Sequence, residues 1–356
     1  MESTIIVTGG AGFIGSSLVR FLLESTDRRV VNIDKLTYSG HRASVADLEQ
    51  HPRYAFRQVD VTDKASIARI FDEESPEAVM HLAAESHVDR SIDSPLDFVQ
   101  TNAVGTATLL ECATTYWQSL PDEDAEQFRF LNVSTDEVFG ELGPTGKFTE
   151  ETPYDPHSPY SASKAAADHF CRAWHDTYGL PVLISNCANN YGPRQFPEKL
   201  IPVVILNALA GDPIPIYGDG SNVRDWLHVQ DHVRALWTIL NEGRPGETYN
   251  VGADVQKTNL ELVRRICAEL DERVDTTDID EHADLITFVD DRPGHDNRYA
   301  IDASKLRHEL GWQPNIDFQT GIGRTVVWYL NNLDWCNTVM DDADQSIEER
   351  LGTRGS

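Results

Sequence analysis

Residues 4–23 read TIIVTGGAGFIGSSLVRFLL and decide the fold. A short run typical of a β-strand leads into a glycine turn and then into an amphipathic helical pattern. Gly9, Gly12 and Gly15 follow the spacing G-x-x-G-x-x-G, a variant of the pyrophosphate-binding fingerprint. Glycines there permit a tight turn and close approach of the backbone to phosphate, while the helix N-terminus faces the anion. The stretch predicts the first βα unit of a dinucleotide-binding sheet.

A second β run, VVNID, ends at Asp34, roughly 20 residues beyond the glycines. A carboxylate at this distance can hold a ribose 2′-OH and would repel a 2′-phosphate. The position therefore favours NAD over NADP. The neighbouring Lys35 weakens this discrimination without reversing it.

Further β runs, YAFRQVD to Asp60 and AVMHLAA to Ala84, alternate with helical patterns. This alternation predicts an α/β fold with a doubly wound, mostly parallel (Rossmann) sheet. Asp60 could meet adenine or cap a helix, and its spacing does not separate the two. A long helix is expected over about 96–117. From about residue 186 turn-rich punctuation predicts a smaller C-terminal substrate-binding lobe.

The domain prediction follows from these patterns. Residues 1–185 form the NAD-binding Rossmann domain, which includes the catalytic residues. Residues 186–333 form mainly a substrate-binding lobe with segments that return to the sheet, and residues 334–356 form an acidic tail.

Residues 134–137 read STDE and close the apolar run FRFLNV, which places them at the carboxyl end of a buried strand. Tyr160 and Lys164 are four residues apart and share one face of a helix. An adjacent ammonium favours the phenolate, which predicts a lowered pKa for Tyr160. Ligands of open α/β sheets bind outside such strand ends, so Asp136, Glu137 and Tyr160 are predicted to form a proton-transfer site. The alternative is that both carboxyls are ordinary helix-start residues.

The composition excludes several classes of protein. The 356 residues include 58 acidic and 30 basic residues, a formal net charge of −28. Such a surface repels phosphate backbones and anionic membranes, so neither nucleic acid nor a membrane is an expected partner. Lysine supplies only 7 of the 30 basic residues, a bias that indicates adaptation to high salt, with an ordinary acidic enzyme as the alternative.

Cysteines, the N-terminus and the histidines indicate a cytoplasmic enzyme without a metal. The five cysteines are scattered, no leader precedes the first strand, and the apolar stretch around 201–210 is too short to span a bilayer. His228 and His232 have a spacing that could bind metal, but no third ligand supports it and packing is favoured. Arginines amid the Gly/Pro loops could clamp a diphosphate or form surface ion pairs. The family resemblance described next favours the clamp for Arg224 and Arg292, whereas Arg194 is predicted to form a surface ion pair.

Motifs along nearly the whole chain carry a resemblance. They are TGGAGFIG, HLAAESHVDRSI, STDEVFG, YSASK, NNYGP, FPEKLIP, PIYGDG, RDWLHV and RPGHDNRYAID, in this order between about Thr4 and Tyr329. The chain resembles the extended short-chain dehydrogenase/reductase (NAD-dependent epimerase/dehydratase) family, and especially its sugar-nucleotide dehydratases. The resemblance implies NAD as cofactor, dTDP-glucose as substrate, a homodimer and a role in deoxysugar synthesis such as that of rhamnose.

The resemblance also implies site residues. The cofactor-binding set is Gly9, Gly12, Phe13, Ile14, Gly15, Asp34, Lys35, Leu36, Thr37, Asp60, Val61, Leu82, Ala83, Ala84, Glu85, Ser86, Thr101, Tyr160, Lys164 and Asn190. The substrate-binding set is Ser86, Thr135, Asp136, Glu137, Asn189, Lys199, Leu200, Pro215, Ile216, Tyr217, Arg224, Asn259, Asp291, Arg292 and His295. The catalytic set is Thr135, Asp136, Glu137, Tyr160 and Lys164.

The implied chemistry gives each catalytic side chain one task. Tyr160 takes the O4 proton while hydride leaves C4, with Thr135 hydrogen-bonded to the same oxygen. Glu137 then removes the acidified C5 proton, and a protonated Asp136 protonates the leaving O6. A 4-epimerase or decarboxylase is the closest alternative, but such relatives generally lack the carboxyl pair. A non-catalytic NAD-sensing protein would usually lose Tyr160 or Lys164.

Overall fold

The computed structural model describes residues 3–275, 279–291 and 295–350, and every absence stated below refers to these residues. The strands are β1 (Thr4–Thr8), β2 (Arg29–Asp34), β3 (Tyr54–Gln58), β4 (Ala78–His81), β5 (Arg129–Thr135), β6 (Val182–Cys187), β7 (Asn189–Tyr191), β8 (Ile214–Tyr217), β9 (Val223–His228), β10 (Thr248–Val251), β11 (Gln256–Thr258) and β12 (Ile286–Val289). The α-helices are α1 (Phe13–Ser25), α2 (Lys64–Glu74), α3 (Val88–Asp93), α4 (Pro95–Phe98), α5 (Thr106–Ser119), α6 (Asp122–Gln127), α7 (Pro159–Tyr178), α8 (Leu200–Ala210), α9 (Val229–Glu242), α10 (Asn259–Asp271), α11 (Ser304–Leu310), α12 (Phe318–Leu330) and α13 (Leu333–Arg350).

Seven strands form one central sheet in the order β10-β6-β5-β4-β1-β2-β3. Every neighbouring pair in it is parallel. One face is covered by α1 and α9, and the other by α2, α5 and α7. Because both faces are covered, the inner strands are buried along their length rather than at alternate residues, as in the fully buried run from Ile5 to Val7. The predicted doubly wound sheet is confirmed.

The smaller lobe has its own core. The three-stranded sheet β11-β9-β7 and the pair β12-β8 lie in this part of the chain. Apolar side chains of α8, α10 and α12 pack together with Ile214 and Ile216 of β8. Two later segments return to the large sheet instead: β10 pairs with β6, and α9 packs beside α1 on one face of the sheet. The boundary at residue 185 stays a prediction.

The helix predicted over about 96–117 is not uniform. A π-helical segment, Val99–Gly105, separates α4 from α5. Within it, the Asn102 side chain accepts from the Glu85 backbone N–H and donates to the Glu85 carbonyl and to Ser163 Oγ. This ties the segment to the residues that follow β4 and to α7. Such π segments often mark functional sites.

The chain after Asp334 is not simply an appended tail. Helix α13 continues from α12, and Cys336 and Val339 are fully buried. Val339 packs against Tyr38 and Phe196, which come from the two halves of the chain. The start of this segment is therefore part of the packed structure.

Candidate active site

One cavity lies at the carboxyl ends of the central strands, where parallel strands of an open sheet commonly present a ligand site. Most of the predicted cofactor residues line it, and so do all five predicted catalytic residues. The lining residues that were predicted are Gly9, Gly12, Phe13, Ile14, Gly15, Asp34, Lys35, Thr37, Val61, Leu82, Ala83, Ala84, Glu85, Ser86, Thr101, Thr135, Asp136, Glu137, Tyr160, Lys164, Asn189, Asn190 and Lys199. Residues from the glycine turn to the lobe therefore meet in one space.

The glycine turn is shaped by two close backbone approaches. Gly9 has φ +73°, and its own Cβ position would lie 2.6 Å from the backbone nitrogen of Ala83. A Cβ at Gly15 would lie 2.1 Å from the carbonyl oxygen of Gly9. By contrast, a Cβ at Gly12 would meet nothing nearer than 3.4 Å. Gly9 and Gly15 are thus required by the protein itself, whereas Gly12 leaves room for another molecule above the start of α1.

Asp34 ends β2 and is buried beneath the turn. Its oxygens accept hydrogen bonds from the backbone N–H groups of Ala11 (2.9 Å) and Leu36 (2.8 Å). Burial raises the pKa of this carboxyl, and the two backbone hydrogen bonds oppose the rise. The carboxylate therefore also fixes the glycine turn to the strand end, a task that its spacing did not predict.

Lys35 is engaged by groups of the protein. Its Nζ donates to Thr101 Oγ1 at 3.0 Å and lies 3.5 Å from Asp60 and 3.8 Å from Glu85. Because these protein groups bind the Lys35 ammonium, it is not left to bind a phosphate. The structure thus supplies a reason why Lys35 does not cancel the preference that Asp34 gives to an unphosphorylated ribose.

Two predicted cofactor residues do not line the cavity. Asp60 accepts from the backbone N–H and hydroxyl of Thr62, so it closes a turn before α2, whose cap is Asp63. Asp60 therefore does not cap the helix itself, and its contact with the cofactor stays a prediction. Leu36 has φ +60° and its backbone donates to Asp34, which places it in the turn rather than in the lining.

Helix α7 positions Tyr160 and Lys164. Ser158 caps the helix in a capping box with Ser161, and Pro159 occupies the first turn, so the helix begins one residue before Tyr160. Lys164 is buried and its Nζ donates to the carbonyl of Val133 at 2.8 Å.

The prediction that Lys164 lowers the pKa of Tyr160 is wrong for this structure. Burial, followed by the charge of Glu137, raises the pKa of Tyr160 well above its usual value. Burial also lowers the pKa of Lys164, while the charge of Asp168 opposes that change. The two side chains share a face, but desolvation outweighs their attraction.

Thr135, Asp136 and Glu137 turn off the end of β5. Thr135 Oγ1 accepts from the Glu137 backbone N–H at 3.2 Å and lies 3.4 Å from Asp136 Oδ1. Burial raises the pKa of Asp136 well above its usual value, and the charges of Glu137 and Asp225 add to this. Asp136 Oδ2 is buried without a hydrogen-bond partner. A protonated carboxyl whose free oxygen lies in a cavity wall can act as a proton donor.

The predicted substrate residues fall into two groups. Lys199 lines the cavity and donates to the Ser86 carbonyl at 3.2 Å, and the buried Asn189 Oδ1 has no hydrogen-bond partner. Outside the lining lie Leu200 at the start of α8, Pro215, Ile216 and Tyr217 on β8, Arg224 on β9, Asn259 at the start of α10, and Asp291 with His295. Arg292 lies outside the described residues.

Arg224, the predicted diphosphate clamp, is not a surface ion pair in the structure, and its contact with a diphosphate stays a prediction. It is buried, donates to the carbonyls of Val223, Asn297 and Asp296, and stacks 4.3 Å over the Tyr299 ring. Its charge lowers the pKa of Asp136, so it lies close enough to influence that site. Arg194 lies 3.9 Å from Asp47, in agreement with a surface ion pair.

His228 and His232 are packing residues in the structure. His228 accepts from the Gln230 N–H at the start of α9, and His232 Nδ1 lies 2.9 Å from Asn190 Oδ1. Burial lowers the pKa of His228 to about 4 and that of His232 to about 3. The described residues contain no cluster of His, Cys, Asp or Glu arranged to hold a metal ion.

Several lining residues were missed from the sequence. They are Ile33, Ser39, Gly40, Val59, Val133, Ser134, Cys187, Ala188, Gln195 and Phe196. The sequence could have predicted Ser39 and Gly40 as lining residues, because they continue the loop that follows Asp34. Phe196 stacks on His41 with ring centroids 5.5 Å apart, a contact between distant segments that no local pattern announces.

Comparison with known proteins places this site in a family. The model of the GDP-mannose 4,6 dehydratase family matches residues 6–325. A dTDP-glucose 4,6-dehydratase of Neisseria gonorrhoeae is 58% identical over 334 residues, which are 93% of this chain and 96% of the relative. The chain belongs to the sugar-nucleotide 4,6-dehydratase family.

Solved structures of this dehydratase family and its neighbours agree with the fold. The dTDP-glucose 4,6-dehydratase of Streptomyces venezuelae, solved with NAD and TYD bound, is 44% identical with a TM-score of 0.86 and covers 94% of this chain and 99% of its own. A UDP-glucose 4-epimerase of Thermotoga maritima with UDP-glucose is 28% identical, with a TM-score of 0.81 and coverage of 93% and 99%. The dehydratase family thus shares its architecture with an epimerase, so the fold alone does not separate the two activities. The difference lies in the site, where Asp136 and Glu137 stand.

Proposed function

We propose that this chain is an NAD-dependent dTDP-glucose 4,6-dehydratase, which converts dTDP-glucose into dTDP-4-keto-6-deoxyglucose with loss of water. One observation carries the proposal: Asp136 and Glu137 share a cavity wall with Thr135 and Tyr160, and the glycine turn opens into the same cavity. A 4-epimerase needs only the tyrosine, since it eliminates nothing. The identity with dTDP-glucose 4,6-dehydratases supports thymidine as the nucleoside.

The residues present fit NAD. A Cβ at Gly12 would have no close neighbour, so backbone can approach a pyrophosphate there. Asp34 ends β2 with an acceptor for a ribose hydroxyl, and Lys35 is bound to protein groups rather than left for a 2′-phosphate. When bound, NAD would accept a hydride from sugar C4 and later return it to C6.

The protein side chains would move the protons. Because burial raises its pKa, Tyr160 must first lose its own proton, and the positive charge of Lys164 would favour that ionised form. The phenolate would then take the proton from the C4 hydroxyl, with Thr135 hydrogen-bonded to that oxygen. The resulting ketone acidifies C5–H, which Glu137 removes, and a proton returns to C5 when C6 receives the hydride. Asp136, whose raised pKa keeps it protonated, gives its proton to O6 as water leaves. Two neighbouring carboxyls suit these opposite tasks because burial and repulsion hold the proton on one of them.

The test is product analysis of the purified protein with NAD and, separately, dTDP-, UDP- and GDP-glucose. We expect dTDP-glucose to lose the mass of one water and to give a 4-ketone, and the product made in heavy water to carry deuterium at C5. Formation of a C4 epimer without loss of water would contradict the proposal in favour of an epimerase. Binding of NAD without conversion of any sugar would favour a sensing protein.

We propose that the chain forms a homodimer through α3, α4, the π segment and α7. Large apolar side chains are exposed on this surface, including Ile92, Leu96, Val99 and Val104, with Tyr178 at the end of α7. Such grouped exposure is typical of an interaction surface. Light scattering should give twice the chain mass, and Leu96→Glu should shift it towards the monomer. A monomeric wild-type protein would contradict the proposal.

We also propose a cytoplasmic, salt-adapted enzyme that serves deoxysugar synthesis, including that of rhamnose. The net charge of −28 and the scarcity of lysine support adaptation to salt. No helix of the described chain is long and apolar enough to cross a membrane.

A further inference from the structure

Asp168 is a fully buried acidic residue that the proposed chemistry does not use. It lies on α7 one turn beyond Lys164, and therefore on the same face of the helix. It does not line the cavity. Burying a carboxyl is costly unless it is paired and hydrogen-bonded, so its surroundings must compensate.

Four side chains surround the Asp168 carboxyl. Its Oδ1 accepts from Asn132 at 2.8 Å, and its Oδ2 accepts from Ser134 and Tyr154 at 2.8 Å each and from Asn186 at 3.3 Å. Both oxygens are therefore acceptors in a shell of amides and hydroxyls, which suits the ionised form. Burial raises the pKa of Asp168, whereas Lys164, Ser134, Tyr154 and Arg172 all lower it.

Most of the other titratable groups near Lys164 are uncharged at neutral pH, and the exceptions are Arg172 and Glu137, whose charge acts on Tyr160. The groups near Lys164 are Tyr160, Cys171 and Arg172 on α7, Tyr154 on the preceding loop, His81 on β4, Cys187 on β6, and Asp136 and Glu137 across the cavity. Burial raises the pKa of Tyr154, Tyr160, Cys171 and Cys187 and lowers that of His81 to about 3, so all five are neutral. Arg172 is a cation, and it donates to the Tyr154 hydroxyl at 2.8 Å.

We infer that Asp168 is a positioning residue that holds Lys164 as a charged ammonium at the cavity wall. Asp168 is the carboxylate on the face of α7 that carries Lys164, and among the described residues Lys164 forms no ion pair within 4.0 Å. The Lys164 Nζ donates to the Val133 carbonyl. The inference rests on the proposed function for the role of Lys164, but its first test does not require turnover.

The same shell joins this charge to the strand end that carries the proton-transfer residues. Asn186 donates to the Thr135 carbonyl at 3.1 Å as well as to Asp168. Ser134, another donor to Asp168, is the residue before Thr135. Asp168 thus links the helix that carries Lys164 to the end of β5.

The test measures the pKa of Lys164 directly. The protein is labelled with [ε-¹³C]lysine, which gives seven signals, and the signal of Lys164 is identified by its loss in Lys164→Arg. We expect Asp168→Asn to lower the pKa of Lys164 by about one unit or more, because the opposite charge one helical turn away has been removed. An unchanged pKa in a folded variant would overturn the inference.

Two further variants separate the charge from the hydrogen-bond shell. Tyr154→Phe and Ser134→Ala each remove one donor to Asp168 and keep its carboxylate. We expect the pKa of Lys164 to change in either by less than a third of the Asp168→Asn shift. An equal shift would show that the hydrogen bonds around Asp168, rather than its charge, set the pKa of Lys164. If Asp168→Asn does not fold, Asp168→Ser replaces it, and the two hydroxyl variants can still overturn the inference.

Turnover gives the second readout. In Asp168→Asn the loss of activity at high pH should begin at a lower pH than in the wild type, since Lys164 loses its proton earlier. Glu269→Gln is the control, because Glu269 is a buried carboxylate on α10 that pairs with Arg265 and Arg273 far from this site. An inactive wild type would count against the proposed function alone, since the lysine titration would still decide the role of Asp168.

Discussion

Replacing Gly15 by alanine adds one methyl group at the point where α1 meets the glycine turn. The ideal Cβ would lie 2.1 Å from the Gly9 carbonyl oxygen, 2.7 Å from Gly10 Cα and 2.8 Å from the Gly9 carbonyl carbon. All three are backbone atoms and cannot swing aside. Alanine at Gly12 is the matched change, because its nearest neighbour would be 3.4 Å away.

The cost follows from what must move. To relieve the clash, α1 and the turn must separate by roughly 1 Å, and overpacking of this kind costs about 1–3 kcal/mol. The displacement also strains the hydrogen bonds from Gly9 N–H to the Ile33 carbonyl (2.8 Å) and from Gly12 N–H to the Gly9 carbonyl (3.2 Å), each worth about 1 kcal/mol. We expect Gly15→Ala to lower the free energy of unfolding by about 2–4 kcal/mol. Gly12→Ala should change it by less than about 1 kcal/mol, because the residue has φ −80°.

The assay is urea unfolding of the protein without NAD, followed by tryptophan fluorescence, in molar KCl. Calorimetric titration with NAD gives the second measurement. There both variants should bind NAD at least about tenfold more weakly, which corresponds to about 1.4 kcal/mol. In Gly15→Ala the turn is displaced, whereas in Gly12→Ala the new methyl group stands where backbone should meet pyrophosphate.

Two results would refute this reasoning. If Gly12→Ala destabilised the protein as much as Gly15→Ala, the two glycines would not have the separate roles that the backbone distances indicate. If Gly12→Ala bound NAD like the wild type, the open space at Gly12 would not be the pyrophosphate position.

The remaining predictions concern the carboxyl pair and the surface charge. Glu137→Gln should abolish solvent deuterium uptake at C5, whereas Asp136→Asn should retain it and slow the loss of water at least about tenfold; product mass spectra in heavy water check this, and equal effects on both steps would contradict the assigned roles. Because burial raises the pKa of Asp136 in the folded state, ionisation in the unfolded chain reduces stability as pH rises from about 4 towards the folded pKa. Asp136→Asn should therefore raise the free energy of unfolding at about pH 8 and not below about pH 4. Urea unfolding at both pH values checks this, and an equal gain at both would contradict the raised pKa of Asp136. Since the net charge is −28, the unfolding temperature should rise between low and molar KCl, and a flat response in calorimetry would argue against salt adaptation.

The sequence predicted the architecture well because the patterns that define strands, turns and helices are local. The glycine spacing, the apolar runs and the caps each depend on a few neighbouring residues, and the central sheet has the expected parallel arrangement. The position of Asp34 at the end of β2 followed from the same count. Asp60 shows the limit, since a strand-end carboxylate can face a ligand or close its own turn, and only the structure shows that it accepts hydrogen bonds from Thr62.

The chemistry of the site depended more on tertiary structure. Spacing placed Tyr160 beside Lys164 and predicted a lowered phenol pKa, but burial reverses that shift, and burial is set by strands and loops distant in sequence. In the same way, only the tertiary structure shows that Arg224 is buried and stacked on Tyr299. Phe196 and Val339 meet around Tyr38 although more than a hundred residues separate them.

The sequence by itself therefore determined the sheet, the turn and the side chains available for proton transfer, because periodicity and spacing act over one or two turns of chain. Only the tertiary structure decided which of those side chains are protonated and which form hydrogen bonds with one another. Desolvation is a property of the whole packed molecule: β5, β6 and α7 together enclose Asp168, and no one of them does so alone.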